Sequence, residues 1–369
     1  MNVVANPVSQ TVPREGWVEA PPQTTEALSG TFWRLADLDG RVLAPFLVLS
    51  PEGLVGNVFS DQMECWQVVN GRLCLIDKGG LPAIVFNVAE LANGRPVAFA
   101  GRAIIGGVDA VYALQRTTHP AAMVMPGAER RATFLKQPAS AGRRPNLIVL
   151  RSNSASLHPH WLEGVDDRTR SWDLCISSYE NTPPDTSMVA EYLVHAPNQR
   201  KFKPIFDLFH DGSPLWGYDR IWLPDDDLLC SGRDINRMFH LSRKYGLDLS
   251  QPSLVNGPGS HINHPVTAQR PGGGVRLSPF VEIMCPLFSR RALEICIGSL
   301  KEAISGYGLD HLWPSFLGRS ATRIGIIDAV AVAHTRPIGA SYDVRSAIGE
   351  QAALWKAYGF KYAPIEGVR

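Results

Sequence analysis

The chain has 369 residues, with 36 Lys and Arg against 35 Asp and Glu, and 45% of its residues are hydrophobic. A balanced charge removes the basic excess that a nucleic-acid partner demands, and so apolar a composition excludes a disordered chain. At about 150 residues per domain the length is enough for two domains.

Residues 1–25 are polar and proline-rich and read as a loose leader. They lack the basic start and apolar run of a signal peptide. No window reaches about 18 consecutive apolar residues, so no membrane-spanning helix is expected, and a cytoplasmic location is. From residue 26 to 117 short apolar runs alternate with turn signals at Asp39-Gly40, Asn70-Gly71 and Asn93-Gly94. Such pairs supply the positive φ of tight hairpins, so this stretch predicts a small antiparallel barrel or sandwich of about eight strands. Residues 118–145 carry basic clusters and read as an exposed linker.

After Pro145 the period changes. Asn146–Leu150 is a continuous apolar run, as in a strand buried on both faces. Further candidate strands lie at 172–179 and 218–224, with helical patterns near 201–209, 234–245 and 290–305. Alternation of this kind predicts an α/β domain over 146–345 with a mostly parallel sheet, then a C-terminal helix and tail over 346–369. The six cysteines are scattered without metal-ribbon spacing or a dense disulfide pattern.

The sharpest chemical feature is the acidic triplet Asp225-Asp226-Asp227, directly after the apolar run Ile221-Trp222-Leu223 and Pro224. In an extended segment Asp225 and Asp227 share a face and Asp226 opposes them. Two such carboxylates repel unless a cation lies between them, and oxygen ligands favour Mg²⁺ or Mn²⁺. The competing reading is a helix cap or a solvated turn. The position after a strand favours a site, because ligands of open α/β sheets bind at the carboxyl ends of strands. No G-x-x-x-x-G-K-S/T loop, G-x-S-x-G elbow or H-E-x-x-H helix occurs, which excludes the commonest NTPase, hydrolase and zinc-protease readings.

Residues 146–339 carry an ordered series of short motifs. Trp172-Asp173 is followed by Tyr179 and Lys203, then by Asp225-Asp226-Asp227-Leu228 and Ser250-Gln251-Pro252. Beyond these come Glu282-Ile283-Met284, Gly308-Leu309-Asp310, Ile327-Asp328, His334 and Gly339. The series resembles an uncharacterised domain family shared by plants and bacteria, whose plant members carry the label lysine-ketoglutarate-reductase trans-splicing related. The layout is also similar to nucleotide-sugar glycosyltransferases of the GT-A type. That resemblance implies a GT-A-like fold and a divalent ion, Mn²⁺ or Mg²⁺, held by Asp225, Asp227 and His334. On the nucleotide it implies Ser152, Asn153, Tyr179, Lys203 and Asp226, with Lys203 reading equally as a surface helix residue. The implied donor is a UDP-sugar and the acceptor a glycan or polysaccharide precursor, reached from the cytoplasmic side with peripheral membrane contact allowed. Other functions compatible with the sequence are a nucleotidyltransferase and a glycan-binding protein with an inactive transferase-like domain.

Asp310 is the first candidate for catalytic base, against a helix N-cap. Glu282 is the second, because a carboxylate amid apolar residues is costly to bury unless it has a task. His261 and His264 read as acceptor-loop residues, and Gln269–Arg276 reads equally as a lid with Arg270 available to phosphate or as a plain disordered loop. Trp216 and Trp313 are the expected sugar-stacking rings.

Overall fold

The computed structural model describes residues 16–51, 53–58, 62–104, 110–117, 132–139, 144–301, 303–318, 322–337, 343–362 and 364–368. Most of the expected leader and linker, and Gly339, lie outside the described residues. The chain divides into two compact units. The first takes Met1–Met123 with Ser315–Gly318 and Ala357–Lys361; the second takes Val124–Pro314, Arg319–Lys356 and Tyr362–Arg369.

The first unit is an antiparallel barrel. Its strands are β1 (Trp17–Glu19), β2 (Thr31–Asp37), β3 (Val42–Leu49), β4 (Val55–Gly56), β5 (Cys65–Val69), β6 (Arg72–Ile76), β7 (Pro82–Ala92), β8 (Arg95–Ala103) and β9 (Val111–Thr117). They follow the order β4-β3-β2-β9-β8-β7-β6-β5, with β1 added on β7. A bridge between Leu54 and Cys65 joins the two ends, so the barrel alternative is the one the fold adopts. The β5–β6 and β7–β8 hairpins turn on Asn70-Gly71 and Asn93-Gly94, all four with positive φ. This is the left-handed pair that two-residue hairpin loops require. Trp33, Trp66, Phe86 and Phe99 fill the interior, each at most 1% exposed. Burial of side chains this size contributes on the order of 2–3 kcal/mol each.

The second unit holds a sheet of β10 (Phe134–Lys136), β11 (Asn146–Ser152), β12 (Trp172–Ser178), β13 (Tyr192–His195), β14 (Arg220–Trp222), β15 (Leu228–Leu229), β16 (Leu249–Leu254), β17 (Arg276–Leu277), β18 (Leu287–Ser289) and β19 (Ile324–His334). The order is β10-β13-β12-β11-β14-β18-β16-β19-β15, with β17 also on β19. β11 pairs in parallel with β12 and β14, β12 with β13, and β16 with β19. β18, between β14 and β16, is antiparallel to both. The sheet is therefore mixed rather than mostly parallel. The chain reaches β18 through a long loop rather than a crossover helix, and an antiparallel neighbour needs no crossover. Strand β10 also falls inside the expected linker and pairs antiparallel with β13.

The helix Gly232–Lys244 starts at a capping box between Ser231 and Asp234 and has Arg243 and Lys244 in its last turn, which suits both ends of the helix dipole. A Cβ on Gly232 would lie 2.5 Å from the Trp161 carbonyl oxygen, so only glycine lets this helix start so close to its neighbour. Asp173 is fully buried and takes hydrogen bonds from Arg144 Nη1 at 2.5 Å and Tyr218 Oη at 2.7 Å. Its place in the motif series is structural, holding β12 against its surroundings.

Candidate functional site at the strand ends

The strands β11, β12 and β14 run side by side in parallel, and the residues just past their carboxyl ends share one cavity of about 930 Å³. Asn153 follows β11, Tyr179 follows β12 and the acidic triplet follows β14. The backbone of the triplet is pinned from three sides. Leu223 N and Asp225 N donate to the carbonyls of Pro286 and Met284, Leu157 N donates to Asp226 O, and Thr335 N donates to Asp227 O. Leu228 is registered opposite His334 in the β15–β19 pair, which carries His334 to the side of Asp227.

The three aspartates meet different partners. Asp225 Oδ1 accepts from Lys201 Nζ at 2.7 Å, and the same ammonium donates to the carbonyls of Ile283 at 2.9 Å and Met284 at 3.4 Å. Asp226 takes the Tyr179 hydroxyl at 3.0 Å and Arg336 Nη1 at 2.8 Å. Asp227 Oδ2 lies 3.4 Å from His334 Nε2, while its Oδ1 is buried with no hydrogen-bond partner. His334 Nδ1 faces the His261 carbonyl at 3.1 Å. Desolvation opposes a charge on His334, but Asp227 and that carbonyl outweigh it and raise its pKa. Although 38% of the Asp225 side chain meets solvent, desolvation raises its pKa, and Lys201 only partly offsets this.

Deeper in the same cavity lie two further carboxyl groups. Glu282 is 5% exposed and its Oε2 has no hydrogen-bond partner. Burial, then the nearby Asp310 charge, push its pKa up to about 8. Asp310 sits in the first turn of the helix Leu309–Phe316, and burial pushes its pKa up to about 7 against the backbone amides that favour its charge. Gln251 Oε1 accepts from Glu282 N at 2.6 Å and so fixes the loop that presents Glu282. Arg200, Lys201 and Arg336 supply positive charge to the same walls. The arrangement combines anion-binding cations with two buried acids able to exchange a proton near neutral pH.

No protein-family model matches the chain, and no curated protein is significantly similar to it. Among solved structures, residues 1–349 of TarS from S. aureus share 9% identity over 57% of this chain and 71% of that one, with a TM-score of 0.36. The same protein in complex with UDP-GlcNAc gives 9% identity over 58% and 70%, with a TM-score of 0.38. Its complex with UDP gives 9% over 58% and 72%, at 0.36. Likeness this faint leaves the chemistry of the site to its own residues.

Of the residues expected at the site, Asn153, Tyr179, Asp225, Asp226, Asp227, Glu282, Asp310 and His334 line the cavity. Ser152 is buried, with its hydroxyl on the Asn153 carbonyl, and is not on the cavity wall. Lys203 also stays off the wall: it lies within the helix Phe202–Leu208 and pairs with Asp207 one turn on. Lys201, just ahead of that helix, lines the cavity instead. The expected stacking rings are absent from the wall as well. Trp313 is fully buried with its Nε1 on Ser299, and Trp216 packs edge-on to Phe209.

His264 reaches the cavity, whereas His261 contributes its carbonyl oxygen. The segment Gln269–Arg276 is fastened to Asp328, which accepts from Arg270 N at 3.1 Å and Arg276 Nε at 2.7 Å. It is thus a tied loop in this structure and does not line the cavity. Arg336 was not anticipated, yet it stands two residues beyond His334, the spacing that keeps one side in extended chain.

Proposed function

We propose that the protein is a metal-dependent nucleotide-sugar glycosyltransferase of the GT-A type, transferring a sugar from a UDP-sugar to a hydroxyl of a glycan or polysaccharide precursor. The observation that carries the reading is the union, in one cavity, of the acidic triplet, the cations Arg200, Lys201 and Arg336, and the two buried acids Glu282 and Asp310. Among the described residues no three His, Cys, Asp or Glu side chains stand ready as a metal cage. The donor atoms nevertheless suit a Mn²⁺ or Mg²⁺ ion. Asp227 Oδ1 is buried without a partner, and His334 presents Nε2 while Nδ1 rests on a carbonyl, the usual support of a ligating histidine. Asp225, Asp227 and His334 would hold the ion, with Mn²⁺ the better match to an imidazole.

Such an ion neutralises the charge that builds on a diphosphate leaving group. The chain's own residues do the rest. Arg200 and Arg336 draw the diphosphate to the strand ends, and Asn153 and Tyr179 flank the nucleotide. Asp310 accepts the proton of the acceptor hydroxyl as its oxygen bonds to the anomeric carbon and the carbon–phosphate-oxygen bond breaks. A base with a pKa near 7 is well matched to that task at neutral pH. Glu282, protonated at pH 7, donates a hydrogen bond that orients the acceptor.

The deciding experiment is calorimetric titration of UDP and GDP with and without Mn²⁺. Binding of UDP that requires Mn²⁺ is expected; absence of binding by either nucleotide under both conditions overturns the reading.

A further inference from the structure

Lys201 is only 14% exposed along its side chain, and its ammonium makes three hydrogen bonds, to Asp225 Oδ1 and the carbonyls of Ile283 and Met284. Its position is therefore built rather than incidental: three acceptors satisfy the three N–H donors of an ammonium. The Met284 carbonyl that takes Lys201 also takes Asp225 N at 2.7 Å, so the lysine and the first aspartate of the triplet are clamped to the same loop.

We infer that Lys201 is the resident cation of the triplet: it occupies Asp225 until the donor diphosphate arrives, and so makes divalent-ion binding at Asp225, Asp227 and His334 depend on that arrival. This deepens the transferase reading and rests on it. The reasoning is electrostatic. The triplet carries three negative charges, and Lys201 and Arg336 already return two positive ones to it. A divalent ion added alone would lie beside an ammonium that cannot leave without giving up two carbonyl bonds, and like charges a few ångström apart in a shielded cavity repel strongly. A diphosphate brings negative charge that both cations can share, so nucleotide and ion should each strengthen the other's binding by the same factor. The chain thereby avoids capturing an ion before there is a donor to activate.

The test is titration of Mn²⁺ followed by the electron paramagnetic resonance signal of the free ion, on the full chain with and without UDP. Wild type is expected to bind Mn²⁺ weakly alone and at least about tenfold more tightly with UDP. Lys201→Met is expected to bind Mn²⁺ alone at least about tenfold more tightly than wild type, with the UDP effect reduced. Lys201→Gln, which can still donate to the carbonyls without a charge, serves if the methionine variant folds poorly, and should shift in the same direction. Lys201→Arg, which keeps the charge, should resemble wild type. Equal Mn²⁺ affinity in wild type and both neutral variants overturns the inference while leaving Mn²⁺-dependent UDP binding, and the transferase reading, intact. Absence of Mn²⁺ binding in every variant, with UDP still bound, overturns the inference and the ion but not the nucleotide site. Failure of UDP to bind anywhere overturns the transferase reading itself.

Discussion

The two units bury polar groups in opposite ways. Among the described residues the barrel unit buries only Ser50, Asn57 and Ser315 as polar side chains, and no charge. The α/β unit buries Arg144, Arg151, Asp173, Asp226, Asp227, Asp248, Glu282, Asp310 and Asp328, among others. Those charges divide again. Asp248 is paired with Arg323 and Arg291, Asp328 with Arg276, and Asp173 with Arg144. They tie segments together, and a buried charge is tolerable when so partnered. Asp227 Oδ1 and Glu282 Oε2 have no hydrogen-bond partner, and both residues line the cavity. The lesson is that a buried acid points to a site where one of its oxygens is left without a hydrogen-bond partner.

Substitutions sharpen this contrast. The largest effect is expected at the triplet: Asp227→Asn should lower transfer by a factor on the order of 10³ or more, as loss of a charge-stabilising group does, while the thermal midpoint barely moves. Assay of sugar transfer alongside calorimetry checks it, and near-normal turnover would remove Asp227 from the site.

In the barrel the reverse holds. Trp33→Ala should cost about 3–5 kcal/mol of stability through the cavity it leaves, read from denaturant unfolding. A loss below about 1 kcal/mol would mean that the interior collapses to refill the space.

The unpartnered acids should also trade stability for function. Because the folded pKa of Glu282 lies at about 8, above its unfolded value near 4.3, the folded state binds more protons between those limits. Stability therefore falls as pH rises through this window. Glu282→Gln removes the penalty, so its thermal midpoint should exceed that of wild type at pH 8 and approach it at pH 5. If the two proteins melt alike at pH 8, the acid is not strained by burial. For the same reason transfer catalysed with Asp310 as base should rise as pH passes about 7, and Asp310→Asn should abolish that rise.

The smallest effect is expected at Lys203→Ala. Its pairing with Asp207 is exposed, so stability should change by no more than about 0.5 kcal/mol and transfer should be unaffected. A marked loss of transfer would return Lys203 to the nucleotide site.

The sequence by itself determined what depends on near neighbours. The hairpins at Asn70-Gly71 and Asn93-Gly94 follow from residues that tolerate positive φ, and the buried run Asn146–Leu150 from unbroken apolarity. The position of the triplet after a strand followed from Ile221-Trp222-Leu223 and the proline that ends it. Glu282 was legible because a lone carboxylate in an apolar stretch is costly.

Tertiary structure decided what depends on residues far apart in the chain. Barrel closure rests on a bridge between Leu54 and Cys65, and the mixed sheet on β18, whose three residues carry no direction in their sequence. Which lysine met the triplet turned on helical spacing: Lys201 already has helical φ and ψ, so it and Lys203 project to opposite sides, one to Asp225 and the other to Asp207. Trp313 and Trp216 went into packing because an aromatic ring gains as much from a dry core as from a ligand. Local propensity fixes a residue's backbone; which charge it meets is fixed only when distant segments close around it.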